Sequence, residues 1–438
     1  MTGDKMSELI KQRIAAVRRG EVPEGYQQIN GYIIPRNWHL EPLSNKFKRS
    51  FRKNDSACDN VLTISAQLGL VSQKEYYDKD IASEDKSGYY LLKKGEFAYN
   101  KSYSTGYPFG AIKRLEKYET GIVSPLYICF TPLEETNASF YAQYFEAGLY
   151  NREIYRFAQE GARNHGLLNI STEDFFAGDL AVPPEEEQRK ISEILSACDR
   201  GIALKQELVR ELQRLKKTCL AKLFPRNGSN IPELRFPGFT DPWEERKLVD
   251  LSDYITKGAT PTTYGFEWVD EGIPFFRNDA IKDNQFIYGD YSYISEEANE
   301  AIKRSEITGD DILVAITGDI GKVGIVPRSI KKANINQHTA RVRIIRGAIP
   351  FFVFQSLATE KQQNEYKKIK TGISMPQLSL EQIRETKILC PSIEEQSRIA
   401  DMLTQFNNLI TLHQRELEEE QRKKKAMMQL LLTGIVRV

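Results

Sequence analysis

Residues 183–224, PPEEEQRKISEILSACDRGIALKQELVRELQRLKKTCLAKLF, have a twin. Residues 391–432, PSIEEQSRIADMLTQFNNLITLHQRELEEEQRKKKAMMQLLL, follow the same plan 208 positions later without a gap. Pro183 falls on Pro391, Glu187-Gln188 on Glu395-Gln396, Ile191 on Ile399, Leu195 on Leu403, Ile202 on Ile410 and Leu223 on Leu431. A repeat of this size constrains the architecture before any local reading, because each copy needs an equivalent place in the fold.

Each copy reads as one long helix. A proline stands just before it, where a missing N–H costs nothing, and acidic residues fill the first turn, where the helix dipole favours them. Alternating steps of four and three residues give Ile191, Leu195, Cys198, Ile202, Lys205, Val209, Leu212, Lys216, Cys219 and Leu223, eight of ten apolar. The second copy gives Ile399, Leu403, Phe406, Ile410, His413, Leu417, Glu420, Lys424, Met427 and Leu431, seven of ten. That is a coiled-coil seam with polar interruptions. One copy alone would suit an amphipathic helix on a globular core. Two matched copies, each following a globular block, favour pairing with each other as rods of about 55–60 Å.

The chain has 438 residues, enough for two or three domains. Charged residues make up 28 % and no apolar run approaches the length of about 18 residues that a membrane span needs. Neither a transmembrane segment nor a signal peptide is expected, which points to the cytoplasm. Five cysteines lie far apart with no C-x-x-C, a pattern with neither a disulfide framework nor a zinc site. The net charge of +1 argues against indiscriminate polyanion binding and leaves local patches open.

Before the first long helix, residues 1–20 carry a short amphipathic helix candidate (Leu9, Ile10, Ile14, Val17). From about Tyr32 to Val182 runs a mixed α/β block, with strands expected at 61–65, 89–92 and 122–130 and a helix over 138–158. A proline- and glycine-rich linker occupies 225–243. The second block extends to Cys390, with strands expected at 273–276, 291–294, 312–317, 323–326 and 339–345 and a helix over 350–370. Residues 339–345 alternate Thr339, Arg341 and Arg343 against Ala340, Val342 and Ile344, as a half-buried strand would. The two blocks read as distant copies. Trp38 and Leu43 match Trp243 and Leu248, Lys94-Gly95-Glu96 sits where Thr308-Gly309-Asp310 does, and Ile170-Ser171 answers Leu378-Ser379. The plan is block–helix–block–helix.

If the helices pack antiparallel, the tandem gains a pseudo-two-fold axis. Two-fold proteins read DNA half-sites spaced by about one helical turn or its multiples, and a rigid spacer between two unlike blocks suits a split target with an unread gap. Acid-free basic stretches agree with this: Lys46, Lys48, Arg49, Arg52 and Lys53, then Lys322, Arg328, Lys331, Lys332, Arg341, Arg343 and Arg346. Such clusters suit phosphate contacts, though a solvated face would look the same. Residues able to read base edges stand at Asn100-Lys101, Tyr107, Lys113-Arg114, Arg163-Asn164-His165, Arg277-Asn278 and Asn336-Gln337-His338.

Catalytic patterns are missing. Gly318, Gly321, Lys322 and Gly324 lack the spacing of a phosphate loop, and Val323 stands where such a loop needs Ser or Thr. There is no G-x-G-x-x-G, and no tetrapeptide of the amino-methyltransferase type. Four histidines (His39, His165, His338, His413) show no metal-ligand or triad spacing. The chain is expected to catalyse nothing alone and to bind no cofactor or metal.

The order of blocks and helices, PELRFPGFTDPWEERKL at the entry to the second block, GDDILVAITGDIGKVGIV within it and the ending LLLTGIVRV together resemble the specificity subunit of type I restriction–modification systems. YPFGAIKRLEKYETGIVSPLYICF in the first block resembles one class of its target-recognition domains. The resemblance covers about Tyr32 to Val438; the first 30 residues lie outside it. It implies an α+β fold of two mixed α/β target-recognition domains joined by two long helices in an antiparallel coiled coil. The domains would be 1–182, 183–231 (first spacer helix and linker), 232–390 and 391–438 (second spacer helix). It also implies a split, asymmetric target in double-stranded DNA and docking of two modification subunits that methylate adenine at N6 from S-adenosylmethionine. Restriction subunits would complete an ATP- and Mg²⁺-dependent nuclease. Two other readings stay open on the residues alone: a coiled-coil scaffold whose blocks bind proteins, and a two-headed DNA-binding regulator.

Overall fold

The structure, a computed structural model, describes residues 3–55, 58–65, 68–77, 86–102, 106–158, 168–226, 228–289, 291–345, 347–372 and 376–438. The chain divides into two compact units, residues 1–206 with 415–438, and residues 207–414. The repeated segments are single helices, Glu185–Leu223 and Ile393–Leu432, of 39 and 40 residues. Each unit therefore holds one globular block, the first half of one long helix and the second half of the other.

In the first unit the strands used below are β1 (His39–Pro42), β2 (Phe47–Arg49), β3 (Phe97–Asn100), β4 (Ala111–Arg114), β5 (Ile128–Pro132) and β6 (Asp179–Val182). A four-stranded sheet runs β2–β5–β3–β4, and β1 pairs antiparallel with β6. Phe47, Phe97, Phe130, Tyr141, Phe145 and Phe175 fill its core, with Phe47 edge-on to Phe97, Phe130 and Tyr141. The helix expected over 138–158 is two, Ala138–Glu146 and Asn151–Phe157, because Gly148 between them has φ +72°. The strand expected over 122–130 is also two, Thr120–Val123 and Ile128–Pro132, separated by a turn through Pro125.

The second unit holds β7 (Glu244–Lys247), β8 (Ser252–Lys257), β9 (Ile273–Phe276), β10 (Ser292–Ile294), β11 (Glu306–Ile307), β12 (Ile312–Ala315), β13 (Val323–Ile325), β14 (Ala333–Ile335), β15 (Thr339–Ile344) and β16 (Lys387–Cys390). One sheet runs β8–β15–β12–β13 and another β10–β9–β14–β11, while β7 pairs with β16. Strand β12 is apolar throughout because it serves two cores: Ile312 and Val314 face one, Leu313 and Ala315 the other. The same double cover corrects the reading of β15 as half-buried, since Thr339 through Val342 are all buried. The helix expected over 350–370 breaks at Thr359, whose side chain accepts from Gln362 N and starts a second helix.

A common frame recurs in both units. The β1–β6 pair has its twin in β7–β16, and the Ser of each expected apolar-Ser pair is an N-cap: Ser171 accepts from Asp174 N, Ser379 from Gln382 N. Gln188 and Gln396 each donate back to the proline before the long helix, at 2.9 and 3.0 Å. Glu187 takes the Arg437 fork at 2.6 and 2.8 Å, and Glu395 takes Arg235 at 2.8 Å twice. Trp38 donates to Glu187 at 3.0 Å, whereas Trp243 packs on Phe224 and Phe352 and its N–H has no partner among the described residues.

The structure shifts one sequence equivalence by a residue. Glu96 accepts from Lys93 N, and Asp311 accepts from Thr308 N, both at 2.8 Å. Each carboxylate also holds an arginine, Arg52 and Arg343. Glu96 thus answers Asp311, and Gly95 (φ +88°) answers Asp310 (φ +70°), not Gly309.

The seam spacing survives, with two environments along each helix. Ile191 and Leu195 sink into the first block's core, and Ile399 and Leu403 into the second's. Further along, Val209 is buried while Ile202, Leu212, Phe406, Ile410 and Leu417 are half-buried, as the side of a two-helix pair must be. In the first unit the two seam lysines are matched: Lys205 meets Glu416 at 2.8 Å and Lys424 meets Asp199, which also takes Gln143 at 2.7 Å. As the numbers rise in one helix they fall in the other, so the halves run antiparallel there. In the second unit Cys219, Leu220 and Leu223 pack with Ile399 and Leu403, which is the same sense.

Candidate nucleic-acid interface

The antiparallel order of the main sheet in the second unit brings four strand ends to one edge: the end of β8, the end of β12, the start of β13 and the start of β15. Backbone hydrogen bonds knit the loops that leave this edge. Leu378 N donates to Ile316 O, Ile316 N to His338 O, Gly258 N to Thr339 O, and Asn336 N to Phe276 O. The approach at Gly258 is so close that a Cβ there would lie 2.0 Å from the Asn336 carbonyl oxygen. The edge therefore carries Lys257, Thr260, Arg277, Asn278, Lys322, Gln337, His338 and Lys370 on loops held by strands.

Ion pairs engage several of the block's other cations. Arg328 is taken by Asp310, Lys332 by Glu296, Arg343 by Asp311, Lys247 by Glu385 and Lys387 by Glu245. Lys257, Lys322 and Lys370 have no carboxylate partner among the described residues. Unpaired lysines beside amides and an imidazole can meet phosphates and base edges.

The remaining sequence candidates divide sharply. Arg341 is only 4 % exposed: it donates to the Glu306 carbonyl, lies 5.1 Å from the Tyr254 ring centre, and its pKa is lowered by burial and by Arg343. Asn336 is buried, with its side-chain oxygen accepting from His338 N and Thr339 Oγ1. Both hold the edge together and do not face outward. Gln337 accepts from Thr260 Oγ1 and lies 3.3 Å from the His338 ring nitrogen, at the surface. Sequence alone separates Arg341 from Lys322 only through the double burial of β15, which its Arg-Val-Arg alternation conceals.

In the first unit the equivalent edge bears Arg49, Asn100 and Lys101. Arg49 stacks 4.2 Å from the exposed Phe51 ring, and Asn100 accepts from Ser102 N. Lys101 gives its carbonyl to Leu168 N, as Ile316 does to Leu378. Lys46 pairs with Glu41 at 3.0 Å. Lys113 is turned inward, 9 % exposed, and shares Glu146 with Tyr107, whose pKa burial raises. Arg114 is held by Glu116 and Ser139. Lys113 thus belongs to the core, because β4 packs that face on the helix Ala138–Glu146. Arg163, Asn164, His165 and Arg346 lie outside the described residues.

Against known proteins, the model of the type I restriction modification DNA specificity domain matches residues 64–214 and 240–420. The chain belongs to that family. The two matched stretches fall one on each repeat, and the tandem plan is that of a type I specificity subunit. The MjaVIII specificity subunit of Methanocaldococcus jannaschii is 26 % identical over 290 residues, 64 % of this chain and 68 % of that protein. The EcoBI specificity subunit of Escherichia coli is 26 % identical over 250 residues, 52 % of this chain and 51 % of that one. In fold, the S subunit of a type I system from M. genitalium superposes with a TM-score of 0.54 at 15 % identity, covering 90 % of this chain and 96 % of its own. A chain from a solved type I R-M system, studied for its complex assembly and conformational transition, gives 0.56 at 16 %, covering 92 % and 100 %. The protein is a type I restriction–modification specificity subunit that recognises DNA. Among the described residues no helix is long and apolar enough to cross a membrane.

Proposed function

We propose that this specificity subunit reads a bipartite, asymmetric target in double-stranded DNA, one half through each unit. It docks two modification subunits on the long helices, and restriction subunits join that complex. The observation that carries the reading is one frame used twice around two unlike blocks. Trp38, the β1–β6 pair and Glu187–Arg437 recur as Trp243, the β7–β16 pair and Glu395–Arg235, while the block cores and edge residues differ. A shared frame gives both halves the same footing on DNA, and unlike edges make the halves different in sequence. The long helices set the length of the unread gap. Adenine methylation from S-adenosylmethionine and the ATP- and Mg²⁺-dependent chemistry lie in the partner subunits; this chain supplies the address.

Single-molecule sequencing of DNA from cells that express the chain with its modification subunit tests this. A split motif with one N6-methyladenine in each half is expected. An intact complex that leaves no new methylation and retains no duplex DNA would favour a protein-binding scaffold.

A further inference from the structure

Resting on that reading, we propose that Arg277 is the residue with which the second unit reads a G·C pair in its half of the target. Arg277 follows β9 directly, level with Asn336 and beside the loop that carries Gln337 and His338. Its guanidinium lies 5.8 Å from the Trp268 ring centre, and one of its terminal nitrogens is 3.5 Å from Ser292 Oγ. Trp268 is itself fixed, edge-on at 5.0 Å to Phe275, which is 1 % exposed. A buried ring thus orients an indole, and the indole orients an exposed guanidinium.

That arrangement differs from the rest of the edge. Lys257, Lys322 and Lys370 are point charges on flexible stems, suited to phosphates. Gln337 is engaged with Thr260 and His338, and Asn336 is buried. A guanidinium held on an aromatic face loses little freedom on binding and keeps a planar fork, which matches the O6 and N7 of guanine in the major groove. No carboxylate neutralises Arg277 among the described residues.

The test uses the full chain with its modification subunit and reads N6-methyladenine motifs in Arg277→Gln, Arg277→Lys and Trp268→Leu. Both Arg277 variants are expected to lose preference for guanine at one position of one half by about ten- to a hundredfold, the other half being unchanged. Trp268→Leu should relax the same position less. Recovery of the modification subunit with each variant confirms that the chain is folded. The proposal is overturned if methylation persists at an unaltered motif, if both halves change, if all sites weaken alike, or if the wild-type half holds no G·C pair. A wild-type complex that marks no split motif removes the underlying function, and the proposal with it.

Discussion

Glu395 illustrates how much one side chain can carry. Its side chain is 1 % exposed and takes both arms of Arg235, itself 14 % exposed, across 160 positions of sequence. Bonding to that carboxylate raises the Arg235 pKa. Glu395→Ala leaves a guanidinium without its partner and should cost about 3 kcal/mol or more. Urea unfolding should show a lower midpoint with unchanged slope, while Glu395→Gln, which keeps an acceptor, should lose less. The edge cations call for another measurement. Lys322→Gln and Lys370→Gln should each flatten the dependence of log affinity on log salt by about one and leave the methylated motif intact. Arg341→Gln, by contrast, should lower stability and leave the salt slope alone, because that guanidinium is buried on a backbone carbonyl. Equal slopes for Lys322→Gln and the parent would remove Lys322 from the interface.

At the scale of elements, the long helices were the most legible part of the chain. Their seam rests on side-chain size at fixed spacing, which survives in sequence even where Lys205 and Lys424 interrupt it. Those lysines turn out to be matched by Glu416 and Asp199 and so help fix the antiparallel register. Deleting one heptad within 195–215 alone should shift every later seam position against its partner and abolish recovery with the modification subunit. Deleting matched heptads from both helices should restore assembly and shorten the gap between the methylated halves; an unchanged gap would refute the spacer role. Other elements were less legible for physical reasons. Residues 138–158 and 350–370 keep helical periodicity across their breaks, so only Gly148 and the capping by Thr359 divide them. The match of Gly95 to Gly309 followed residue identity, whereas the backbone aligns Gly95 with Asp310, a left-handed position that aspartate tolerates. Candidate DNA contacts depend on which carboxylates fold back onto each base. That long-range pairing divides Lys322 from Arg328, and no local pattern announces it.

For the whole molecule, the exchangeable piece is set by where each block leaves the frame. Glu244 lies opposite Cys390 and Lys247 opposite Lys387, so the second block enters and exits through adjacent antiparallel strands. His39 and Val182 stand in the same relation for the first block. A block whose ends are neighbours can be replaced by another of different length and sequence without moving the frame that holds it. Phe224 of the frame restricts the exchange, since it stacks on Phe352 at 5.3 Å and takes Trp243 edge-on, and an incoming block needs an aromatic or large aliphatic residue at both of those places. Replacing residues 243–390 by the corresponding block of a related specificity subunit should therefore preserve assembly and alter one half of the methylated motif only. A chimera that assembles but marks DNA with both halves changed would mean that the blocks read the target jointly, and the one-unit, one-half assignment would fall even though the repeat remains.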